Sequence, residues 1–367
     1  MIEERVYQIA LTRVKSLGPV RQRKLIEYFG SAKACFQSSE VELSSVEGIG
    51  SLAARNIMNF NGFEKIQIEY DELSSKGLQI HFFSDDSFPN RLRYCSDAPN
   101  LIYSLGSINF NKERFVSIVG TRRATNYGKR TVKKLLEELS EHKINLVSGL
   151  AYGIDIYAHR EALKYDMQNI AVVAHGLDRV YPNEHRQTVK SMISNGGVIS
   201  EYGFGVKPDK EHFPERNRII AGLADATIVI ESKRKGGALI TAEIADGYHR
   251  DVFAVPGKTE DPLSEGCNFL IKKNKAQLIE KADDLLRAMN WIQESNKKKL
   301  GTQKKLFVSL SRKEEEIIAF LQKSGPCHSE EIARELSTTV GMLALQMLEL
   351  EMSGLVRSHP GSIYSLC

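Results

Sequence analysis

The sequence is poor in several informative features, and each shortage argues against a class of protein. Five cysteines are scattered over 367 residues without a C-x-x-C pair, which argues against a disulfide framework or zinc module and suits a reducing cytosol. The formal net charge is only +4, so the overall balance does not itself indicate a nucleic-acid partner. No apolar run approaches the ~18 residues that span a bilayer, and the first residues lack the features of a signal peptide. We therefore expect a cytoplasmic protein without a membrane partner.

The chain does contain a repeated alternation of strand-like and helix-like segments, within an overall composition of 42% hydrophobic and 26% charged residues. Continuous apolar runs predict buried strands at Phe115–Val119, Ile144–Val147, Ile170–Ala174, Val198–Ser200, Thr227–Ile230 and Val252–Val255. Helical periods between them predict helices at Tyr127–His142, Ile154–Tyr165, Glu184–Ser194, Pro214–Leu223 and Ala238–His249. The pattern predicts an α/β fold, an extended Rossmann-like, doubly wound and mostly parallel sheet.

Glycine turns follow five of these predicted strands. They contain Gly120, Gly149 with Gly153, Gly176, Gly203 with Gly205, and Gly236 with Gly237. In doubly wound sheets, ligands bind outside the carboxyl ends of the strands, and glycine lets backbone amides approach a ligand closely. We therefore expect this edge of the sheet to bind phosphates.

The flanking segments predict additional modules. Residues 1–75 are expected to form a helical, helix-hairpin-helix/SAM-like domain, 76–292 the extended Rossmann-like domain, 293–305 a basic linker, and 306–367 a winged-helix-like domain. The Gly-x-Gly turn within Val46–Ile57 is typical of a DNA-contacting hairpin and equally of a helical packing module. The third winged helix, Val340–Met352, contains no Arg or Lys, which favours protein contact or packing over base reading.

The first glycine turn is rich in arginine and opens a helix. Its glycines, Gly120 and Gly128, are separated by seven residues, which fits neither a P-loop nor a dinucleotide fingerprint. Arg122 and Arg123 follow Thr121, and Arg122 could offer a bidentate fork to a phosphate beside the hydroxyls of Thr121 and Thr125. A solvated surface arginine is the alternative.

The remaining turns repeat the same chemistry. Ser148, Gly149 and Gly153 form a second candidate phosphate loop, in which Asp155 is expected to stabilise the first helical turn. Tyr152, in the same loop, could stack on a base or simply pack. Two further groups supply cations: Arg216, Asn217 and Arg218 follow Pro214 in a first helical turn, and Lys233, Arg234 and Lys235 precede Gly236 and Gly237 in the last glycine turn. Cations at helix N-termini oppose the helix dipole, which favours a polyanionic partner.

The sequence offers no recognisable catalytic or metal-binding arrangement. The nine histidines have no metal-ligand spacing, and we find neither a serine elbow nor a Cys/His nucleophile pair. We therefore predict a binding protein that is not an enzyme and needs no cofactor.

These turns resemble those of the DNA-processing protein A (DprA/Smf) family. The resemblance covers residues from about 80 to 280 and rests on the following motifs: Gly120-Thr121-Arg122 with Tyr127-Gly128, Ser148-Gly149-Leu150-Ala151 with Gly153-Ile154-Asp155, Phe213-Pro214 with Arg216-Asn217-Arg218-Ile219-Ile220, Gly237-Ala238-Leu239-Ile240-Thr241-Ala242, and upstream Phe88-Pro89 with Asp97-Ala98-Pro99. Together the motifs are highly specific.

The resemblance implies a non-catalytic, dimeric protein of natural transformation that binds single-stranded DNA, protects it and loads the RecA recombinase. It places Arg122 at the pocket arginine, Gly149 and Gly153 in the phosphate loop, and Lys235 at the cation before the glycine turn. Tyr152 departs from the family, which often has Arg there. The DNA-binding residues expected from the turns and the resemblance together are Gly120, Thr121, Arg122, Arg123, Thr125, Ser148, Gly149, Gly153, Arg216, Asn217, Arg218, Lys233, Lys235, Gly236 and Gly237.

Two other functions remain open at the level of sequence. Gly236-Gly237 with Thr241-Ala242-Glu243 faintly resembles the motif of nucleotide-processing phosphoribohydrolases, although one glycine of that motif is missing. A shared fold does not carry a function with it. The winged-helix-like domain could alternatively read double-stranded DNA, which the absence of Arg and Lys from its third helix argues against.

Overall fold

The computed structural model of the chain describes residues 2–292 and 310–366, so the predicted linker at 293–305 lies outside the described residues. Its strands in the first range are β1 Leu78–Phe82, β2 Leu101–Ser107, β3 Phe115–Val119, β4 Asn145–Ser148, β5 Asn169–Val172, β6 Gly196–Ser200, β7 Ala226–Val229, β8 Asp251–Ala254 and β9 Gln277–Leu278. They form one sheet of order β1-β2-β6-β5-β4-β3-β7-β8-β9.

The strands from β3 to β9 run parallel, and β1 and β2 extend the sheet as an antiparallel pair beside β6. All five residues of β3 are buried, as expected for a strand covered on both faces. The mostly parallel, doubly wound sheet predicted from the apolar runs is therefore confirmed, and all the predicted glycine turns lie at the carboxyl edge of its parallel strands.

Helices cover both faces of the sheet: α7 Asn90–Arg93, α8 Asn126–Ser140, α9 Ile154–Ala162, α10 Arg186–Met192, α11 His212–Leu223, α12 Gly237–Gly247, α13 Glu265–Lys272 and α14 Ala282–Ala288. On one face Val119 and Val147 pack with Ile219 of α11, while on the other Val116 and Leu146 pack with residues of α8 and α9. Alternate residues of the same strands thus build two separate cores, which fixes the layered architecture.

Some predicted boundaries differ from the observed ones. The helix expected from Pro214 begins two residues earlier, at His212, because proline is tolerated in a first turn, where amides lack intrahelical acceptors. The helix expected over Glu184–Ser194 is broken into α10 and two flanking 3-10 turns, Asn183–His185 and Ile193–Asn195. Two further 3-10 turns lie at Ser74–Lys76 and Leu163–Tyr165.

Six helices precede the sheet: α1 Glu4–Thr12, α2 Pro19–Phe29, α3 Ala32–Gln37, α4 Glu40–Ser45, α5 Ser51–Met58 and α6 Phe63–Leu73. The predicted hairpin lies between α4 and α5, and Gly50 precedes α5. Val6 and Ile9 pack against Tyr103 of the edge strands, and Arg13 forms an ion pair with Glu69 at 2.7 Å. The helices therefore pack on the β1–β2 edge of the sheet.

The described carboxyl-terminal residues fold as a winged helix. Its elements are α15 Arg312–Ser324, β10 Cys327–His328, α16 Ser329–Glu335, α17 Val340–Met352, β11 Val356–His359 and β12 Ile363–Leu366, with strand order β10-β12-β11. The β11–β12 hairpin is its wing, and the wing tip contacts the central domain. Gly361 N donates to His249 O at 3.1 Å, and Arg250 Nη1 donates to Pro360 O at 3.0 Å.

Candidate nucleic-acid interface

A cleft of about 530 Å³ opens at the carboxyl edge of the sheet, between the first glycine turn and the amino-terminal ends of α11 and α12. Nine of the fifteen predicted binding residues line it: Gly120, Thr121, Arg122, Arg216, Asn217, Lys233, Lys235, Gly236 and Gly237. The cleft lies where a doubly wound sheet binds ligands. The strand ends therefore bring together residues that are more than 100 positions apart.

Backbone hydrogen bonds fix the first glycine turn in place, whereas the side chain of Arg122 remains available to a ligand. Thr121 N donates to Glu231 O at 2.7 Å, and Ile154 N donates to Thr121 O at 3.1 Å, which ties the turn to the exit of β7 and the start of α9. The exposed guanidinium of Arg122 lies 5.3 Å from the centre of the Phe213 ring. Among the described residues no ion pair or side-chain hydrogen bond engages it, so its donors face the cleft unoccupied.

The second glycine turn supports the cleft from behind, and most of its residues do not line the cleft. Gly153 has φ +79°, and a Cβ there would lie 2.1 Å from Thr121 O, so only glycine allows the first and second turns to pack this closely. Gly149 faces an adjoining recess, where a Cβ would lie 2.8 Å from Arg216 Nη2. Ser148 is buried and donates to Ile118 O at 2.6 Å. The structure thus gives Ser148 and Gly153 supporting positions behind the cleft.

Arg216 is buried beneath the cleft, with only 4% of its surface exposed. Its Nη1 donates to Gly149 O at 2.6 Å and also to Val172 O, which joins the ends of two strands. Burial lowers its pKa to about 10, and burial raises the pKa of neighbouring Asp155 to about 6 against the attraction of Arg216. Arg216 therefore remains charged at neutral pH, but the Asp155 carboxylate offsets part of that charge and the buried guanidinium is not an open fork for a phosphate.

Three other predicted residues do not line the cleft. Arg218 Nη2 pairs with Glu201, and its Nη1 donates to Asp97 O at 2.8 Å, so this guanidinium is engaged in a half-buried contact elsewhere. Thr125 caps α8 by accepting from Gly128 N at 3.2 Å and donating to buried Glu231. Arg123 is exposed and does not line the cleft. All three lie close in sequence to predicted phosphate-binding residues, and side-chain contacts engage Arg218 and Thr125 elsewhere.

The last glycine turn, which contains Gly236 and Gly237, provides both positive charge and accessible backbone amides. Lys233 and Lys235 line the cleft, whereas the Arg234 guanidinium stacks on the ring of Phe269. Gly236 precedes α12 without a side-chain cap, which leaves first-turn amides available to an anion. A Cβ on Gly237 would meet nothing within 4 Å, so the space in front of this helix end is open.

The residues that line the cleft without having been predicted as binding residues include one cation and two aromatic side chains, Lys210, Tyr181 and Phe213. The centre of the Phe213 ring lies 5.3 Å from the Arg122 guanidinium and 5.8 Å from that of Arg216. Because Phe213 immediately precedes Pro214 at the start of α11, its position in the sequence could have indicated that it lines the cleft. Lys210 and Tyr181 lie in irregular segments, where no periodicity predicts the direction of a side chain.

The cleft offers cations, amides and aromatic rings, and its lining also includes the carboxylate of Asp155. In the part of the chain that the structure describes, no cluster of three His, Cys, Asp or Glu side chains is arranged to hold a metal. Glu243, the acid of the phosphoribohydrolase-like motif, lies 3.7 Å from Lys275 Nζ and is not among the cleft-lining residues. Among residues 2–292 and 310–366, no helix has the length and apolar character required to cross a membrane.

Comparisons with known proteins identify relatives over nearly the whole chain. The family model described as DNA recombination-mediator protein A matches residues 79–290, and the model of the DprA winged helix domain matches residues 308–362. Protein Smf of Synechocystis is 31% identical over 98% of both chains. The DNA processing protein DprA of Streptococcus pneumoniae is 41% identical over 60% of this chain and 78% of that protein.

Solved structures agree with the sequence relatives. The X-ray structure of DprA from Streptococcus pneumoniae has a TM-score of 0.67 and 32% identity, covering 77% of this chain and 96% of that one. A structure of DprA from Helicobacter pylori, which concerns its single-stranded DNA binding mode, has a TM-score of 0.53 and 28% identity, covering 58% and 95%. The resemblance seen in the glycine turns is confirmed, and the chain belongs to the DprA/Smf family of DNA-processing, recombination-mediator proteins.

Proposed function

We propose that the chain binds single-stranded DNA in the cleft and acts, without catalysis, as the mediator that protects incoming strands and loads RecA recombinase during natural transformation. The observation that carries this proposal is the set of unpaired cations around the cleft. Among the described residues, no ion pair or side-chain hydrogen bond engages Arg122, Lys210, Lys233 or Lys235. Such side chains can neutralise successive phosphates of a strand and release counterions.

Single-strand selectivity follows from the aromatic surface between the cations. Phe213 and Tyr181 line the same cleft as the lysines, and Tyr181 is 49% exposed. Aromatic rings stack on unpaired bases with a contribution of roughly 1–3 kcal/mol per base, and a duplex has no unpaired bases to offer. The cleft therefore favours a strand whose phosphates meet the cations and whose bases reach the rings.

The relatives support the same substrate. The Helicobacter pylori structure concerns binding of single-stranded DNA by DprA, and it shares 28% identity with this chain. We propose the same ligand for this protein because its cleft contains the cations and aromatic rings that binding of a single strand requires. Homodimerisation and recombinase loading, which the family resemblance implies, complete the proposal. The site residues, the domain boundaries and the cytoplasmic location remain predictions.

The nucleotide-processing enzyme is less compatible with this geometry. Glu243 lies outside the cleft, and the cations are distributed over three turns, as suits several phosphates better than one nucleotide. Incubation with nucleoside 5′-monophosphates, followed by chromatography, should therefore release no free base. Release of base at a rate proportional to protein concentration would contradict the non-catalytic proposal.

Recombinase loading has its own test. Oligothymidine should be coated with a single-strand binding protein, and RecA filament formation should then be followed with and without this chain. The intact chain should shorten the delay before filament growth, because it holds the strand while the recombinase nucleates. The paired variant Lys233→Ala/Lys235→Ala should lose most of this effect. If the intact chain binds strands and leaves the delay unchanged, mediation fails while strand binding stands.

A further inference from the structure

The outward face of α17 is apolar and exposed. Leu345, Leu348 and Met352 are 59%, 54% and 82% exposed, and their spacing places them on one side of the helix. Leu343, Met347 and Leu350 occupy the opposite side and are buried in the winged-helix core. A helix with apolar side chains on two opposite faces is usually covered on both, and here the second face is exposed.

This face does not have the chemistry of a DNA-reading helix. Residues Val340–Met352 contain no Lys or Arg, although base reading in the major groove relies on such donors. The wing tip is also occupied, because Pro360 O accepts from Arg250 Nη1 and Gly361 N donates to His249 O. The domain therefore holds its wing against the sheet domain and presents an apolar helix outward.

Charge around the exposed face identifies the class of partner. Residues 310–366 contain eight Glu, no Asp and five Lys or Arg, a net charge of −3, whereas the whole chain is +4. Glu349 is exposed on α17 beside Leu345 and Leu348, and Glu335 is exposed at the end of α16. The exposed face of α17 therefore carries the Glu349 carboxylate within a domain of net negative charge, which attracts cations and repels a nucleic-acid backbone.

We propose that the exposed face of α17 is a docking site for a basic amphipathic helix of a partner protein. Leucine-like side chains of the partner would cover Leu345, Leu348 and Met352, and flanking lysines or arginines would meet Glu349 and its acidic neighbours. Helix-on-helix docking of this kind uses anchors at i, i+3 and i+7, which is the spacing of the exposed residues. The face shares no residue with the strand-binding cleft, so the two proposals fail independently.

The test uses the full chain and a fluorescent synthetic helix of about 18 residues with leucines on one face and lysines on its flanks. Fluorescence anisotropy should show saturable binding, and Leu345→Gln/Leu348→Gln should weaken it by at least about tenfold. The thermal midpoint and the affinity for oligothymidine should not change, because both leucines are exposed. Val41→Gln is the matched control, since Val41 is 81% exposed on another domain and should leave peptide binding intact.

A charge exchange separates specific docking from nonspecific adhesion. A second peptide carries glutamates in place of the flanking lysines and should not bind the native chain, whereas Glu349→Lys should weaken the lysine peptide and favour the glutamate peptide. Equal binding of both peptides, or binding of neither, would overturn the proposal. A concentration-dependent dimer that disappears in Leu345→Gln/Leu348→Gln would overturn it in favour of a second copy. Loss of duplex DNA binding in that variant would assign the face to DNA instead.

Discussion

The guanidinium groups of Arg122 and Arg216 lie 5.3 Å and 5.8 Å from the centre of the Phe213 ring, yet only Arg122 is exposed. Sequence position predicts that both belong to the phosphate-binding edge, because each follows a strand or opens a helix there. It does not predict that Arg216 is buried, since that depends on carbonyl acceptors at Gly149 and Val172, far away in the chain. At the residue scale, the sequence indicates the chemistry of a side chain and the region of the fold in which it lies. The direction in which the side chain points depends on contacts with residues that are distant in the sequence.

Arg122→Ala should weaken binding of single-stranded DNA by roughly ten- to a hundredfold, because a hydrogen bond to a charged group contributes about 1.5–3 kcal/mol. The fold should be unaffected, since the guanidinium is exposed. Arg123→Ala is the neighbouring control and should have a much smaller effect, because Arg123 does not line the cleft. Titration of labelled oligothymidine measures both, and equal losses in the two variants would remove Arg122 from its special role.

His159 should make stability dependent on pH. It is fully buried in α9, and burial lowers its pKa to about 4, below the value of about 6.5 in an unfolded chain. The unfolded state therefore takes up the proton first, and the free energy of unfolding falls as pH decreases from about 6.5 to 4. Between pH 7 and pH 5 this histidine should account for a loss of about 2 kcal/mol.

Denaturant unfolding of the native chain and His159→Gln at both pH values measures that loss. Groups such as Asp155, whose raised pKa acts in the opposite direction, remain in both proteins and cancel in the comparison. The variant should be less stable at pH 7 and should show a weaker decline towards pH 5. An identical decline in the two proteins would show that His159 does not titrate in this range.

At the scale of elements, the central strands and helices follow directly from the sequence. The predicted strand Phe115–Val119 coincides with β3, and the predicted third winged helix coincides with α17. Buried parallel strands are recognisable because both faces need apolar residues. The apolar pattern does not predict the antiparallel β1 and β2, which form the edge of the sheet beside the amino-terminal helices; β2 pairs with β6, which is distant in the sequence.

The turn before α12 should govern the salt dependence of strand binding. Lys233→Ala/Lys235→Ala should reduce the slope of log affinity against log salt concentration by about 1.4, since each neutralised phosphate of a single strand contributes about 0.7. Lys133→Ala/Lys190→Ala removes the same charge from exposed helix positions that do not line the cleft. The control should keep nearly the native slope. A native slope in the Lys233/Lys235 variant would mean that this turn is only a solvated surface.

At the scale of the whole molecule, the cleft belongs to the sheet domain, and the winged helix contacts that domain through its wing. The contact involves His249 and Arg250, at the end of α12 opposite the cleft-lining Gly237. The sequence predicts the winged-helix-like module and a third helix without Arg or Lys. It could not reveal that the wing is held by the sheet domain, because no local pattern encodes a contact between domains.

Removal of residues 306–367 should leave affinity for single-stranded DNA largely intact, since every cleft-lining residue lies before that segment. Circular dichroism would first establish that the shortened chain is folded. Anisotropy with oligothymidine would then compare it with the full chain, and a change of less than about threefold is expected, equivalent to less than ~0.7 kcal/mol. Complete loss of binding by a folded, shortened chain would relocate the strand site to the winged helix.

The measurement that tests the central claim most directly is fluorescence anisotropy with labelled oligothymidine and a matched duplex over a range of salt concentrations, with AMP and ATP as competitors. The account predicts tight binding that prefers the single strand, a steep loss of affinity with salt, and little competition by mononucleotides. Equal affinity for the duplex, or displacement by AMP or ATP without preference for the polymer, would contradict it and favour a nucleotide-binding enzyme.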